Sequence, residues 1–252
     1  MRCGGRGGCR LDDLPFPHMP TDLFPYIYTY AQEASRTGLP IMRALALEFP
    51  DDPGVWGDIG EHEYCFGAEL LVAPVYYGFD YFRISYLPQG RWRDFWNGDL
   101  LEGGQIVRRP SPVEQIPVFA RCGALIPRLD PSPQTLLEAR DGAIEQAGDD
   151  LRLDIYSGAD GAFTLYDGTR FVWNEGPGTG GPETGGGTLT MENSPVVRQV
   201  SVRLVGDPGR LPVQARDGSG DTLSLSVGSL NGDEEYSRVT LEAGGRVTLT
   251  WQ

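Results

Sequence analysis

The sequence contains no lysine: all 21 basic residues are arginine, set against 35 aspartates and glutamates, for a formal charge of -14. A surface of that sign repels phosphate backbones and anionic lipid headgroups, which argues against nucleic acid and membrane as partners and favours neutral or cationic ones. Cysteine is scarce. Cys3, Cys9, Cys65 and Cys122 are too few for a disulfide framework in 252 residues, and Cys3 with Cys9 has no second pair of thiols or imidazoles at zinc spacing. Histidine is scarcer still, with only His18 and His62, so Ser-His-Asp and Cys-His nucleophile designs have no support. No apolar run approaches the ~20 residues of a membrane span, and the N-terminus lacks the apolar core of a signal peptide, so a soluble, cytoplasmic protein is expected. Glycine-rich phosphate loops are missing too, because GGRGG and GTGGPETGGG lack the flanking strand and helix that would give such glycines meaning.

What is present changes character along the chain. Residues 1–20 are dense in Gly, Arg and Pro without periodicity and read as a disordered or foreign head. From Thr21 the apolar residues Leu23, Tyr26, Ile27, Tyr30, Ala31 and Ala34 fall on one helical face, with Thr21 as a candidate cap, Pro25 in the first turn, and Gly38 with Pro40 as the stop. Ile41 to Leu47 is a nearly continuous apolar run, Arg43 excepted, and is expected to be a strand buried on both faces. Leu70–Val75 reads as another buried strand, followed by short apolar and aromatic runs separated by Pro-Gln-Gly, Asn-Gly-Asp and Glu-Gly-Gly turns, the pattern of an antiparallel sandwich. Residues 130–150 form a weakly patterned boundary. Beyond it the alternation is clear in Leu151, Leu153 and Ile155; Val200, Val202 and Leu204; Leu223, Leu225 and Val227; Val239 and Leu241; and Val247, Leu249 and Trp251. The interposed EGPGTGGPETGGG is expected to be a mobile loop.

Four blocks, FPYIYTYAQEASRTGLPIMRALALEFPDD, YCFGAELLVAPV, YLPQGRWRDFWNGDLLEGG and IPVFARCGALIP, resemble in order and spacing the C-terminal stretch of glycoside hydrolase family 31, the α-glucosidase and α-xylosidase family, over about residues 24–127. The later YSGADGAFTLYDGTRF is similar, more loosely, to that family's second C-terminal module. The resemblance implies a mainly β chain: a disordered head at 1–20, the end of a (β/α)8 barrel at 21–62 with one helix and one strand, and two antiparallel β-sandwiches, proximal at 63–132 and distal at 133–252. It also implies a retaining α-glycosidase acting on α-linked glucosyl or xylosyl units of an oligosaccharide substrate, without metal or cofactor, whose two catalytic aspartates lie upstream, so that this chain by itself is expected to be inactive. The oligomeric state is left open.

Three residues are candidates for substrate contact. Arg43 could orient sugar hydroxyls or pair with a catalytic carboxylate at a barrel mouth, or could be a buried guanidinium held by an acidic partner from a neighbouring strand, one that in a complete barrel would lie upstream of this chain. The second is favoured, because an unpaired buried charge costs several kcal/mol and a pair that fixes strand register needs no substrate. Trp92 and Trp96 could stack on pyranose faces, which would make the chain a non-catalytic carbohydrate-binding module. Core packing is favoured for these rings, and for Tyr156, Phe163, Tyr166 and Trp173, since large aromatics dominate sandwich interiors. Asp51 and Asp52 suit a capped turn. Glu61, His62 and Glu63 read as an exposed polar patch, because neighbours in sequence cannot converge on one metal ion.

Overall fold

A computed structural model describes residues 19–76, 82–112, 115–129, 150–176, 186–206, 211–230 and 234–251. The expectations for the head with Cys3, Cys9 and His18, for the boundary at 130–149 and for the glycine-rich loop at 177–185 lie outside the described residues. A short turn of helix, α1 (Met19–Asp22), leads into α2 (Phe24–Thr37). The predicted apolar face of α2 turns inward, with Tyr26 and Tyr30 buried, and Gly38 ends it in the left-handed conformation (φ 78°), its N–H donating to the Ala34 carbonyl. The start differs from expectation. Leu23, not Thr21, occupies the N-cap and makes no side-chain cap, the entry being shaped by Pro25 in the first turn.

The segment after α2 also differs. Only β1 (Met42–Ala44) is extended, with its side chains alternating exposed, buried, exposed, and Leu45–Glu48 winds into a short helix, α3. Leu, Ala and Glu are strong helix formers, and an apolar run of this length does not by itself separate a buried strand from a helical turn. The expected doubly buried strand over 40–47 is therefore corrected: Met42 and Leu47 are each 57% exposed. β1 is an edge strand, pairing antiparallel with β2 (Tyr64–Phe66) through Arg43 opposite Cys65.

Six more strands complete the first sandwich: β3 (Leu70–Val72), β4 (Phe82–Leu87), β5 (Arg91–Asp94), β6 (Leu100–Glu102), β7 (Gln105–Pro110) and β8 (Val118–Arg121). One sheet runs in the order β1-β2-β3-β8-β5-β6, and β4 pairs with β7 as a separate ribbon. Alternation sorts the side chains of the larger sheet. Leu71, Trp92 and Phe119 join Leu87 of the ribbon in one core, whereas Leu70, Val118 and Ala120 face the other way, toward α2 and the second sandwich.

The remaining strands are β9 (Ala124–Leu129), β10 (Asp150–Tyr156), β11 (Gly161–Thr164), β12 (Arg170–Gly176), β13 (Gly186–Glu192), β14 (Arg198–Val205), β15 (Gln214–Asp217), β16 (Ser226–Leu230), β17 (Glu234–Leu241) and β18 (Arg246–Trp251). They form two sheets, β16-β17-β14-β10-β9 and β11-β12-β13-β18-β15, antiparallel except for the parallel pair β10–β14. β9, which the sequence places with the first sandwich, pairs along β10 of the second. Leu223 and Leu225 precede β16 and pack half-buried against the core, whereas Val227, in the edge strand itself, is exposed. The other four alternating sets lie in the core, which runs unbroken from Tyr26 through Leu70 and Val118 to Leu153, Trp173 and Trp251. Each such large side chain, fully buried, contributes about 1.5–3 kcal/mol, so helix, first sandwich and second sandwich share one hydrophobic stabilisation. No helix among the described residues is long and apolar enough to cross a membrane.

Candidate functional site

Arg43 is the buried centre of the helix–strand unit, 3% exposed. Its Nη1 meets Glu48 of α3 at 2.6 Å, its Nη2 lies 3.3 Å from Glu33 of α2, and its Nε donates to the Pro40 carbonyl at 2.9 Å. The guanidinium also sits 5.0 Å from the centre of the Tyr30 ring. Burial by itself would favour losing the charge; the Glu48 and Glu33 carboxylates outweigh it and hold the guanidinium charged. The acidic partners thus come from the two flanking helices of this chain and not, as expected, from a neighbouring strand upstream of it, and the arrangement ties the helix before β1 to the turn after it.

Glu48 connects this unit to the first sandwich. Its second oxygen lies 3.8 Å from Arg121 of β8, whose guanidinium lies over Phe49 (4.3 Å) and near Trp92 (5.8 Å). The structure thus brings Arg43 and Trp92 into one chain of contacts. Trp92 is 1% exposed and its indole N–H donates to the Pro88 carbonyl, so neither ring face is open to a sugar. Trp96 stands apart: half-buried, it donates to the Ile116 carbonyl at 2.8 Å and packs edge-on against Phe95, which stacks on Tyr156.

Asp52 caps the 3-10 turn Pro53–Trp56 through the Gly54 N–H, as its turn position suggested, and also accepts from the Tyr86 hydroxyl (2.7 Å) and the Gln89 N–H (3.0 Å). Burial alone would raise its carboxyl; these three donors hold it below its ordinary value. In the Glu61-His62-Glu63 patch, Glu61 and His62 are exposed, but Glu63 is buried. It accepts from the Tyr86 N–H at 3.0 Å with Arg83 no nearer than 3.9 Å, and burial pushes its carboxyl up to about 8. Period-two reading could have found it, since Glu63 and Cys65 share one face of the strand that begins at Tyr64. Cys65 and Cys122 are free thiols pushed up by burial to about 12 and 11, which leaves no thiolate for chemistry near neutral pH.

Sequence reasoning passed over two further clusters. Glu69 accepts from the hydroxyls of Tyr26 (2.9 Å) and Tyr30 (2.5 Å), fastening α2 to the first sheet. Deeper in, Asp154 of β10 is fully buried among Arg128 (2.8 Å), Arg203 (2.9 Å) and Arg152 (3.7 Å), and Arg128 also grips Asp22 of α1 at 2.9 Å. Burial would raise the Asp154 carboxyl, but the three guanidiniums overcome it and hold the group well below the usual carboxylate range. The members of both clusters are far apart in sequence, and no local pattern marks them.

Shared core, ring stacks and buried ion pairs define the class: a pair of β-sandwiches whose polar groups are committed to clamping a helix–strand unit in place. Comparison with known proteins agrees. Residues 38–126 match the glycosyl hydrolase family 31 C-terminal domain. Over 106 residues the chain is 42% identical to an isomaltosyltransferase of Sporosarcina globispora, covering 42% of this chain and 10% of that protein. Over 155 residues it is 36% identical to an α-xylosidase of Saccharolobus solfataricus, covering 61% of this chain and 20% of that protein. Among solved structures, a family 31 dextranase mutant of Flavobacterium johnsoniae complexed with isomaltotriose superposes with a TM-score of 0.72 at 25% identity, over 93% of this chain and 32% of that one. Residues 38–126 belong to glycoside hydrolase family 31 as its C-terminal domain, and the chain spans 10% and 20% of the length of the two curated relatives.

Proposed function

We propose that residues 21–62 close a (β/α)8 catalytic barrel, that 63–132 and 133–252 are its proximal and distal supporting sandwiches, with β9 crossing from the first segment into a sheet of the second, and that the complete enzyme is a retaining α-glycosidase removing α-linked glucosyl or xylosyl units from oligosaccharides. The observation that carries this reading is the outer edge of β1. Its only partner among the described residues is β2, and Met42 and Leu47 stand exposed beside a fully committed Arg43. An exposed edge strand with apolar side chains is a liability that folded proteins cover, and neighbouring barrel strands would cover it. The names of the relatives support the chemistry, since they include an α-xylosidase, and a structural neighbour holds isomaltotriose.

Retention requires two carboxyl groups about 5–5.5 Å apart, one attacking the anomeric carbon and one first donating and then withdrawing a proton. In this reading both stand on barrel strands outside these residues, Arg43 locks the closing strand to its helix, and Trp92 and Trp96 are packing rings. The test is turnover of aryl α-glucoside and α-xyloside. The chain alone is expected to release nothing, and the complete enzyme carrying it to release the α-anomer first. Turnover by the chain alone, or first release of the β-anomer, would overturn the proposal.

A further inference from the structure

The segment that leaves β1 is held from outside itself. Glu48 and Asp52 bracket a tight turn whose backbone bonds run from the Phe49 N–H to the Leu45 carbonyl (2.8 Å) and from the Asp52 N–H to the Phe49 carbonyl (3.2 Å). Groups of the proximal sandwich reach both carboxylates. Arg121 of β8 lies 3.8 Å from Glu48 and covers the Phe49 ring, which in turn meets Trp92 at 5.9 Å between centroids. Tyr86 of β4 and the Gln89 N–H each donate to a different oxygen of Asp52. Independently, Gly54 lies so close against the Tyr86 ring that a methyl group there would overlap it. The side chains that escape these contacts, Asp51, Trp56 and Asp58, are exposed, Trp56 at 65%.

The geometry points to Tyr86 and Arg121 as positioning residues: the proximal sandwich sets the loop 49–58, which follows β1 after the short helix α3, so that Asp51 and Trp56 are presented to an oligosaccharide in a fixed arrangement. Active sites of (β/α)8 barrels are built from the loops at the C-terminal ends of their strands, and small displacements of such loops are costly to turnover. A carboxylate and an exposed indole suit a pyranose, whose hydroxyls donate to the acid while its C–H face lies on the ring. The pinning stands on the contacts alone; that the loop meets a sugar rests on the glycosidase reading.

Hydrogen exchange on the chain itself separates the two. In Tyr86→Phe the amides of 49–58 are expected to exchange about tenfold faster, the factor that follows from losing one hydrogen bond to a charged group. Arg121→Ala, which loses an ion pair at 3.8 Å and the cover over Phe49, is expected to speed them less, with Arg121→Lys between it and the unmodified chain, while β10 and β14 stay unchanged in all of them. Equal exchange in all variants overturns the pinning. In the complete enzyme the same variants are expected to raise the KM for isomaltotriose several-fold and to leave kcat on an aryl α-glucoside within about twofold, as loss of a positioned binding surface predicts. Unchanged KM despite faster exchange overturns the positioning role. If the unmodified enzyme cleaves no α-glycoside, the glycosidase reading fails, and the exchange result still decides whether the sandwich holds the loop.

Discussion

Replacing Asp154 by asparagine tests the idea that the second sandwich and α1 are clamped through one buried cluster of charges. The carboxylate is 0% exposed and receives Arg203 through two hydrogen bonds, at 3.0 and 2.9 Å, besides Arg128 at 2.8 Å. Asparagine keeps the shape and removes the charge. Arg128 and Arg152 then keep only the carboxylate of Asp22, and Arg203 loses the charge that its two hydrogen bonds meet. Breaking one side of a buried ion pair costs about 3–5 kcal/mol, because the partner charge stays desolvated. Arg203, 16% exposed, recovers some hydration, which places the expected loss at the lower end of that range. For a chain of this size each kcal/mol moves the midpoint by about 2–4 °C, so thermal unfolding followed by circular dichroism should shift down by roughly 10 °C. The pH dependence has a definite sign. The folded Asp154 value lies below its ordinary 3.8, so its stabilisation is complete above that value and is lost as pH falls through and below it. The acid limb of the wild-type stability curve should therefore flatten in Asp154→Asn. A loss under about 1 kcal/mol with an unchanged acid limb would refute the clamp, leaving the cluster no more consequential than a surface pair.

Glu63 acts with the opposite sign. Its folded value of about 8 lies above its ordinary 4.5, so the protein should lose stability as pH rises between those values, by at most about 1.4 kcal/mol per pH unit, and Glu63→Gln should abolish that slope in urea unfolding. Trp92→Ala, which empties a site at the centre of the first sandwich, should cost about 3–5 kcal/mol; the same change at half-buried Trp96 should cost distinctly less, and equal losses would contradict the burial described.

Legibility differed by element. The helix over Phe24–Thr37 and its glycine stop were readable because amphipathic period and C-capping are local. The strands around Leu153, Val202 and Leu249 were readable because their apolar residues alternate with polar ones, although only Arg246–Trp251 leaves its polar face partly open; in Asp150–Tyr156 and most of Arg198–Val205 that face is buried as well. The stretch Ile41–Leu47 misled, since continuous apolarity measures how much surroundings a segment expects and not its backbone shape. The family match does not depend on that strand's burial: it extends from residue 38 to 126, far beyond it. Of the set Leu223, Leu225 and Val227 the first two pack on the core ahead of the edge strand Ser226–Leu230, and only Val227 within it is exposed, because alternation cannot supply the sheet that would cover an edge.

For the candidate site, the sequence by itself determined that Arg43 needs an acidic partner and that Asp52 caps a turn, both consequences of desolvation and turn chemistry within a few residues. Only the tertiary structure decided that Arg121 and Tyr86 would grip Glu48 and Asp52, that Asp154 would gather three arginines, and that Glu63 would be sealed from water. Those outcomes depend on which strands become neighbours, and strand pairing is set by closing the whole core, a quantity that no local window of residues contains.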